Sequence, residues 1–125
     1  MNHHEQERGA VTAETALAIP LLVAVTLAMI WMVAFGVNQM KTTDAAREAA
    51  RAIARGESPE EATALAHQVM PGARVEISRT GDQVVVVVTA RIEAPLVPFD
   101  LAGTTEGTAT ALLETVPGED ADVPP

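Results

Sequence analysis

The sequence predicts an α+β fold in which a long N-terminal transmembrane helix continues into a small head with a second helix and an antiparallel sheet of about three strands. Three observations favour this class. Residues 15–40 contain no charged side chain. Charged and apolar side chains then recur at helical spacing as far as Arg55, and β-branched residues dominate from Val75 onward. A chain of 125 residues leaves room for one small domain beyond the membrane segment.

The uncharged stretch is long enough to cross a membrane. Its 26 residues would form a helix roughly 39 Å long at about 1.5 Å per residue, and a hydrocarbon core is about 30 Å thick. We therefore expect one transmembrane helix, which begins after the short polar stretch that ends at Gly9.

The helix is expected to continue beyond the membrane to Arg55, where Gly56 can end it. Charged side chains and alanines then occupy opposite faces, because each set recurs every three or four residues. The charged face comprises Asp44, Arg47, Glu48, Arg51 and Arg55, and the apolar face comprises Ala46, Ala49, Ala50 and Ile53. Small side chains let a sheet approach closely, so we expect the apolar face to be the wall on which the head packs.

The head should begin with a short helix. Ser58 is a favourable N-cap, Pro59 suits the first helical position, and Glu61 completes a capping box. This helix is expected to end near Met70, because Pro71 and Gly72 follow.

Strands are predicted for the rest of the head, because β-branched residues dominate it and alternate with polar ones. They are expected around Val75 and Ile77, from Val84 to Glu93, and within residues 104–116, with a turn at residues 80–82. Side chains alternate along a strand, so the even-numbered residues of the second strand should face the core. Val85 and Val87 then need another cover.

The chain is thus divided into four segments: a leader at residues 1–9, the helix at 10–55, the head at 56–116 and a disordered acidic tail at 117–125. Residues 1–55 carry five acids and five bases, so the net charge of −9 belongs to the head and tail. An acidic surface repels phosphate groups, and nucleic-acid binding is therefore disfavoured.

Side chains that support catalysis or metal binding are scarce. The chain has no cysteine, His3 and His4 lie in the leader, and His67 has no neighbouring ligand in the sequence. Ser58 and Ser78 occur in no nucleophile motif. We therefore predict that the protein is not an enzyme and holds neither a metal nor a cofactor.

Glu14 needs an explanation, because it lies at the edge of the apolar helix. A carboxylate at the centre of a bilayer costs about 2.5–3.5 kcal/mol, and less near the interface. One explanation is a favourable interaction with the helix dipole, worth about 0.3–1 kcal/mol. The other includes the preceding residues: Arg8 and Gly9 come directly before Ala10, and Glu14 is the fifth residue after that glycine.

The stretch RGAVTAETALAIP resembles the leader of type IV pilin-like proteins, and specifically that of the TadE family of tight-adherence (Flp) pilus pseudopilins. The resemblance covers roughly residues 7–55. It implies cleavage by a prepilin peptidase between Gly9 and Ala10, and pairing of Glu14 with the new amine of a neighbouring subunit. Ala10 departs from the aromatic first residue of major pilins, and no cysteine pair closes a C-terminal loop, so a minor subunit or assembly factor is implied.

The resemblance also implies partners and a location. The partners would be the prepilin peptidase, other pilin or pseudopilin subunits and membrane lipid. The protein is expected to cross the cytoplasmic (inner) membrane once. As a subunit it would enter an extracellular filament after assembly, and as an assembly factor it would stay outside the mature filament. Counting positive charges favours the reverse orientation, because Lys41 and three arginines follow the span. We expect the N-terminus inside, because the family's peptidase cuts at the cytoplasmic face.

Other features of the helix suggest how it packs. Pro20 is either a tolerated membrane proline or a flexible point used during packing into a filament. Ala24 and Ala28 form a small-residue pair that can let helices approach closely. Trp31 and Phe35 lie one turn apart and are expected to face lipid, or else to pack between subunits.

The alternative function is a secreted or membrane-anchored binding module with an ordinary signal sequence. Ala34-Phe35-Gly36 has the form of a signal-peptidase site, although the apolar run is long for such a signal. The apolar segment from Ala94 to Leu101 is expected to close over the core, or else to form an exposed subunit contact.

Overall fold

The structure, a computed structural model, describes residues 3–94 and 101–114. In chain order its elements are α1 (His3–Ala54), α2 (Pro59–Val69), β1 (Arg74–Thr80), β2 (Gln83–Glu93) and β3 (Ala102–Leu112). The predicted α+β architecture is confirmed. The predicted tail at 117–125 lies outside the described residues, as does most of the apolar segment between Ala94 and Leu101.

Helix α1 is one continuous element of 52 residues. It begins at His3, inside the predicted leader, because the polar residues before Gly9 are compatible with a helix and one glycine costs only about 1 kcal/mol relative to alanine. Its end agrees with the prediction to within one residue. Gly56 adopts a φ of 93°, and its amide donates to the carbonyl of Ile53 at 3.0 Å, while the amide of Glu57 donates to that of Ala52 at 3.1 Å. These two bonds form a Schellman motif.

Helix α2 starts with the predicted capping box. The amide of Glu61 donates to Ser58 Oγ at 3.2 Å, and the amide of Ser58 donates to Glu61 Oε2 at 2.9 Å. The bond from the Ser58 amide, followed by one from the Ser58 hydroxyl, lowers the pKa of Glu61. The cap therefore also favours the ionised carboxylate at the start of this helix.

The three strands form an antiparallel sheet in the order β1-β2-β3. A tight turn joins the first two strands, where Thr80 pairs with Gln83 and Gly81 adopts a φ of 63°. Strand β3 lies beside β2 along its whole length, from the pair Gln83 and Leu112 to the pair Glu93 and Ala102. It therefore begins two residues before the window that the sequence predicted.

The core lies between α1 and one face of the sheet. Four even-numbered residues of β2 are buried as predicted, namely Val84, Val86, Val88 and Ala90, and the fifth, Ile92, is half-buried against them. They face the alanine-rich side of α1, whose buried members are Ala45, Ala46, Ala49, Ala50, Ala52 and Ile53. The odd-numbered Val85 and Val87 remain half-exposed on the opposite face of the sheet. Small side chains on α1 bring the helix and sheet close, so valine and isoleucine fill most of the space between them.

Candidate functional site

The residues of the predicted processing site lie in the first turns of α1. Gly9, Ala10 and Glu14 are all exposed, and Glu14 lies four residues, or about one turn, beyond Ala10. Two threonines beside them bond within the helix: Thr12 Oγ1 donates to the carbonyl of Arg8 and Thr15 Oγ1 to that of Val11, both at 2.9 Å. These hydroxyls are therefore engaged with the backbone of their own helix.

Gly9 is not required by the fold of the chain. A Cβ atom built on it would meet no heavy atom within 4 Å among the described residues, and its φ is not positive. Gly36, farther along the same helix, is equally unconstrained. A glycine costs stability inside a helix, so its presence at position 9 calls for a reason outside the packing of this chain.

The helical segment before the head presents apolar side chains to its surroundings. Thirteen large apolar residues of α1 are between 45% and 77% exposed. They are Val11, Leu17, Ile19, Leu21, Leu22, Val23, Val25, Met29, Ile30, Met32, Val33, Val37 and Met40. Helix α1 is long and apolar enough to cross a membrane, and the described part of the chain contains one such helix. A continuous apolar surface of this size needs lipid or other helices as its cover.

The predicted packing residues lie on one line of this exposed segment. Pro20, Ala24 and Ala28 are spaced by four residues, so they share one face of α1, and all three are exposed in the isolated chain. The helix passes through Pro20 without interruption. Their role in contacts between subunits stays a prediction.

The two aromatic residues of α1 pack on the head. Their rings are stacked with centroids 5.4 Å apart, and both side chains are half-buried. A Cβ atom on Gly103 of β3 would lie 2.9 Å from Phe35 Cε2 and 3.4 Å from Trp31 Cζ2. The expectation that Trp31 and Phe35 face lipid is therefore wrong for the faces of the two rings that pack on β3. Helical spacing could not show that the start of β3 lies alongside them.

A second close contact joins α1 and β3 about two turns farther along. A Cβ atom on Gly107 would lie 2.5 Å from the carbonyl oxygen of Thr42 and 2.6 Å from Thr43 Cα, so the strand packs directly on the helix backbone. Beside it, the hydroxyls of Thr42 and Thr105 are buried and 2.9 Å apart. Gln39 Nε2 also donates to the carbonyl of Glu106 at 2.6 Å.

Sequence reasoning missed this junction, although one signal for it was present. Gly107 lies inside the predicted strand and Gly103 directly before it; the two are four residues apart, so they share one face of the observed β3. Glycine inside a strand often marks the close approach of another backbone. The identity of that backbone was not visible, because 61 or more residues separate the two sides in the sequence.

The remaining candidate ligand has a structural contact. His67 Nε2 lies 2.9 Å from the carbonyl oxygen of Ala73, across the connection between α2 and β1. Within residues 3–94 and 101–114, no group of three or more histidine, aspartate or glutamate side chains is placed to hold a metal ion.

This fold defines a class: a membrane-anchored α+β protein whose one long N-terminal helix is both the anchor and the spine of the head. Comparison with known proteins identifies the family. The family described as "TadE-like protein" matches residues 9–51. A protein of Mycobacterium tuberculosis named "Apoptosis inhibitor Rv3655c" is 39% identical over 113 residues, which cover 90% of this chain and 84% of that relative.

The chain belongs to the TadE-like family. The resemblance found in the leader and helix is thereby confirmed, and it indicates a function related to pilus assembly. No solved structure matches the chain.

Proposed function

We propose that this protein is a minor pilin-like subunit, or an assembly factor, of a tight-adherence type IV pilus or a related secretion filament. The observation that carries the proposal is the division of α1 into two parts. Residues 45–53 of α1 form one wall of the head's core, whereas the apolar residues from Val11 to Val25 are all exposed. The exposed N-terminal part of α1 is therefore available to other helices while the head stays folded.

During assembly, the exposed part of α1 would exchange its contacts with lipid for contacts with other helices. Lipid tails are about as apolar as leucine side chains, so moving the exposed part of α1 from lipid into a bundle of helices changes little hydrophobic free energy. Packing contacts and polar pairs then decide whether the helix stays in the bundle. The line formed by Pro20, Ala24 and Ala28 offers such a packing face, because small side chains allow backbones to approach.

Processing by a prepilin peptidase would remove residues 1–9 and create an amine on Ala10. Two observations support this step: both residues of the predicted bond are exposed, and Gly9 fills no packing role among the described residues. A residue without a side chain gives a protease close access to the backbone. We infer that the constraint on Gly9 comes from the enzyme that cuts there.

Glu14 would then pair with the amine of Ala10 in a neighbouring subunit. The cost of a carboxylate near hydrocarbon is offset when a cation lies beside it, and an ion pair of this kind sets the axial register between two helices. The exposure of Glu14 in the isolated chain leaves its carboxylate accessible to such a partner.

Mass spectrometry of the mature protein tests the processing step, in a host that carries the peptidase. The expected mature chain begins at Ala10, and Gly9→Val should block its formation. Gly36→Val is the matched control, because it places the same side chain on the same helix and a Cβ atom at either glycine meets nothing within 4 Å. A mature chain that still begins at Met1, or normal processing of Gly9→Val, would contradict the proposal.

The same measurement separates the alternative, a binding module released by signal peptidase. Cleavage after Gly36 would give a chain that begins at Val37. It would also remove Trp31 and Phe35 from their contact with Gly103, which speaks against this alternative. The name of the Mycobacterium tuberculosis relative attributes inhibition of apoptosis to that protein. We place assembly first because the exposed part of α1 requires lipid or helical partners.

A further inference from the structure

We infer that one end of the sheet rests in the lipid headgroup layer when α1 spans a membrane. We call it the proximal sheet end and define it as residues 92–94 and 101–103. The partner is the bilayer surface on the side where the head lies. The inference rests on the membrane insertion of α1 assumed in the proposed function, and it does not depend on a role in a filament.

The first step is the position of the sheet along the helix. Gly103 packs on Phe35 and Trp31, and Gly107 packs on Thr42. Trp31 precedes Lys41, the first charged residue after the apolar stretch, by ten residues, or roughly 15 Å. The proximal sheet end therefore reaches well below the level at which charge first returns to α1.

The second step is the length of helix available to the membrane below that contact. A hydrocarbon core of about 30 Å needs about 20 helical residues. Arg8 precludes an earlier start, so the shallowest span begins at Gly9 and ends at residue 28. Trp31 then lies about 4–5 Å above the hydrocarbon, inside a headgroup layer that is about 5–8 Å thick on each side.

Every other placement brings the sheet deeper. If the hydrocarbon begins after Glu14, the same 20 or so residues end at residue 34, beyond Trp31. Tilting the helix uses still more residues to cross the bilayer and moves its far boundary toward the head. A head held clear of the lipid would need a span that ends well before Trp31, and the charged leader leaves too few residues for it.

The third step is the chemistry of the proximal sheet end. Apart from Glu93, residues 92–94 and 101–103 are uncharged, and Leu101 is 45% exposed. The amide of Ala94 donates to the carbonyl of Leu101 at 3.1 Å, which extends the hydrogen bonding of β2 and β3 past the strand ends. Paired backbone groups and an exposed leucine suit an interface from which water is partly excluded.

The charges nearby are also compatible with lipid. Arg91 Nε lies 3.8 Å from Glu93 Oε1, so the charged side chains nearest to the proximal sheet end form an ion pair with no net charge. The opposite end of the sheet carries Asp82 and Glu114, which have no basic partner within 4 Å among the described residues. Within residues 3–94 and 101–114, the sheet therefore carries these two unpaired acidic side chains at the end that points away from the membrane.

The chain is suited to a direct test, because it contains one tryptophan and no cysteine. The full-length protein would be placed in phosphatidylcholine vesicles that contain lipids with a nitroxide either near the headgroup or deep in the acyl chain. Leu101→Cys would carry an environment-sensitive fluorophore. Ser78→Cys is the matched control, because Ser78 is exposed and pairs with Val85, roughly 24 Å up the sheet from Ile92.

We expect the shallow nitroxide to quench the label at Leu101 several-fold more than the label at Ser78, and aqueous iodide to show the reverse order. Trp31, which needs no substitution, should be quenched more by the shallow nitroxide than by the deep one. A label at Leu22→Cys reports insertion of α1 and should respond to the deep nitroxide.

The outcomes separate the two ideas. If Leu22 is deep but Leu101 is as open to iodide as Ser78, the contact with lipid is overturned and the membrane anchor stands. If the label at Leu22 is not quenched by either lipid, α1 is not inserted, and the anchor and the contact both fail.

Discussion

Thr42 on α1 and Thr105 on β3 are fully buried, and their Oγ1 atoms lie 2.9 Å apart. Thr42 Oγ1 also donates to the carbonyl of Asn38 at 2.7 Å, which uses the hydrogen of that hydroxyl. Thr105 is therefore the donor between the two side chains. This bond joins the helix that enters the membrane to an edge strand of the head.

Breaking this pair should destabilise the head. Thr42→Val keeps the shape but leaves the Thr105 hydroxyl with only a long contact of 3.4 Å to the carbonyl of Ala90. We expect a loss of about 1–3 kcal/mol in the free energy of unfolding, the usual cost of an unsatisfied buried group. Chemical denaturation in detergent micelles, followed by circular dichroism, measures it.

The control is Thr63→Val in α2. Thr63 makes the same bond within its helix, to the carbonyl of Pro59 at 2.7 Å, and its side chain makes no hydrogen bond to another element in the described part of the chain. The double variant of Thr42 and Thr105 to valine should recover part of the loss, because neither hydroxyl is then left unpaired. If the loss of stability in the double variant equals the sum of the losses in Thr42→Val and Thr105→Val, the pairing of the two hydroxyls is contradicted.

The glycines of β3 should differ in their tolerance of alanine. Gly107→Ala places a Cβ atom against the backbone of Thr42, which cannot move without shifting α1, and we expect a cost of about 1–3 kcal/mol or more. Gly103→Ala meets the ring of Phe35, which can rotate, so its cost should be smaller. Thermal unfolding ranks the two.

Thr108→Ala provides the reference for these variants. Thr108 is exposed on the other face of β3, so its replacement should change stability by no more than about 0.5 kcal/mol. A Gly107→Ala variant as stable as Thr108→Ala would show that β3 does not pack on the helix backbone as described.

Removing the carboxylate of Glu14 should separate processing from assembly. In Glu14→Ala and the isosteric Glu14→Gln, cleavage after Gly9 should persist, because the scissile bond is unchanged. Filament assembly should fail, because the new amine of Ala10 loses its partner. Immunoblots of sheared filaments and of membranes measure the two steps.

Glu5→Gln is the control for that experiment. Glu5 is also an exposed acid of α1, but it lies in the segment that processing would remove. Filaments of normal amount from Glu14→Gln would exclude the proposed ion pair.

The cap of α2 should make a pH-dependent contribution to stability. The pKa of Glu61 is lowered in the folded state from its ordinary value of 4.5. A lowered pKa means that the folded state binds fewer protons, so the stabilisation is complete above the unfolded value and is lost as the pH falls through the folded value. Glu61→Gln should therefore destabilise the head near pH 7, and the difference from wild type should shrink progressively as the pH falls below 4.5.

Glu60→Gln serves as the comparison, because Glu60 is exposed and makes no hydrogen bond to the N-cap in the described chain. Unfolding curves of the three proteins at several pH values measure the effect. The proposed role of the capping box fails if the difference between wild type and Glu61→Gln is the same at every pH.

Local patterns were enough for much of the fold. The uncharged run, the two faces of the helix beyond Lys41, and the spacing of Ser58 and Glu61 each depend on residues within a few positions of one another. The same is true of the alternation that buries Val84, Val86 and Val88. These features follow from helical or strand periodicity, so no knowledge of distant contacts was needed.

Other features were not accessible in this way. Whether Trp31 and Phe35 face lipid or protein depends on where β3 lies, and β3 is more than 60 residues away in the sequence. The glycines at 103 and 107 indicated a close approach but not its partner. The start of α1 at His3 was also missed, because a polar stretch with a glycine is compatible with either a helix or a loop.

The linear order of residues was therefore enough to predict the long apolar helix and the elements of the head, which the structure confirms, because each is encoded by neighbours along the chain. The leader motif is encoded locally in the same way and stays a prediction. The level at which the head meets α1 was decided by packing in three dimensions. Burial of the sheet against the helix brings Gly103 to Trp31 and Gly107 to Thr42, and such pairing of distant segments leaves no periodic trace in the sequence.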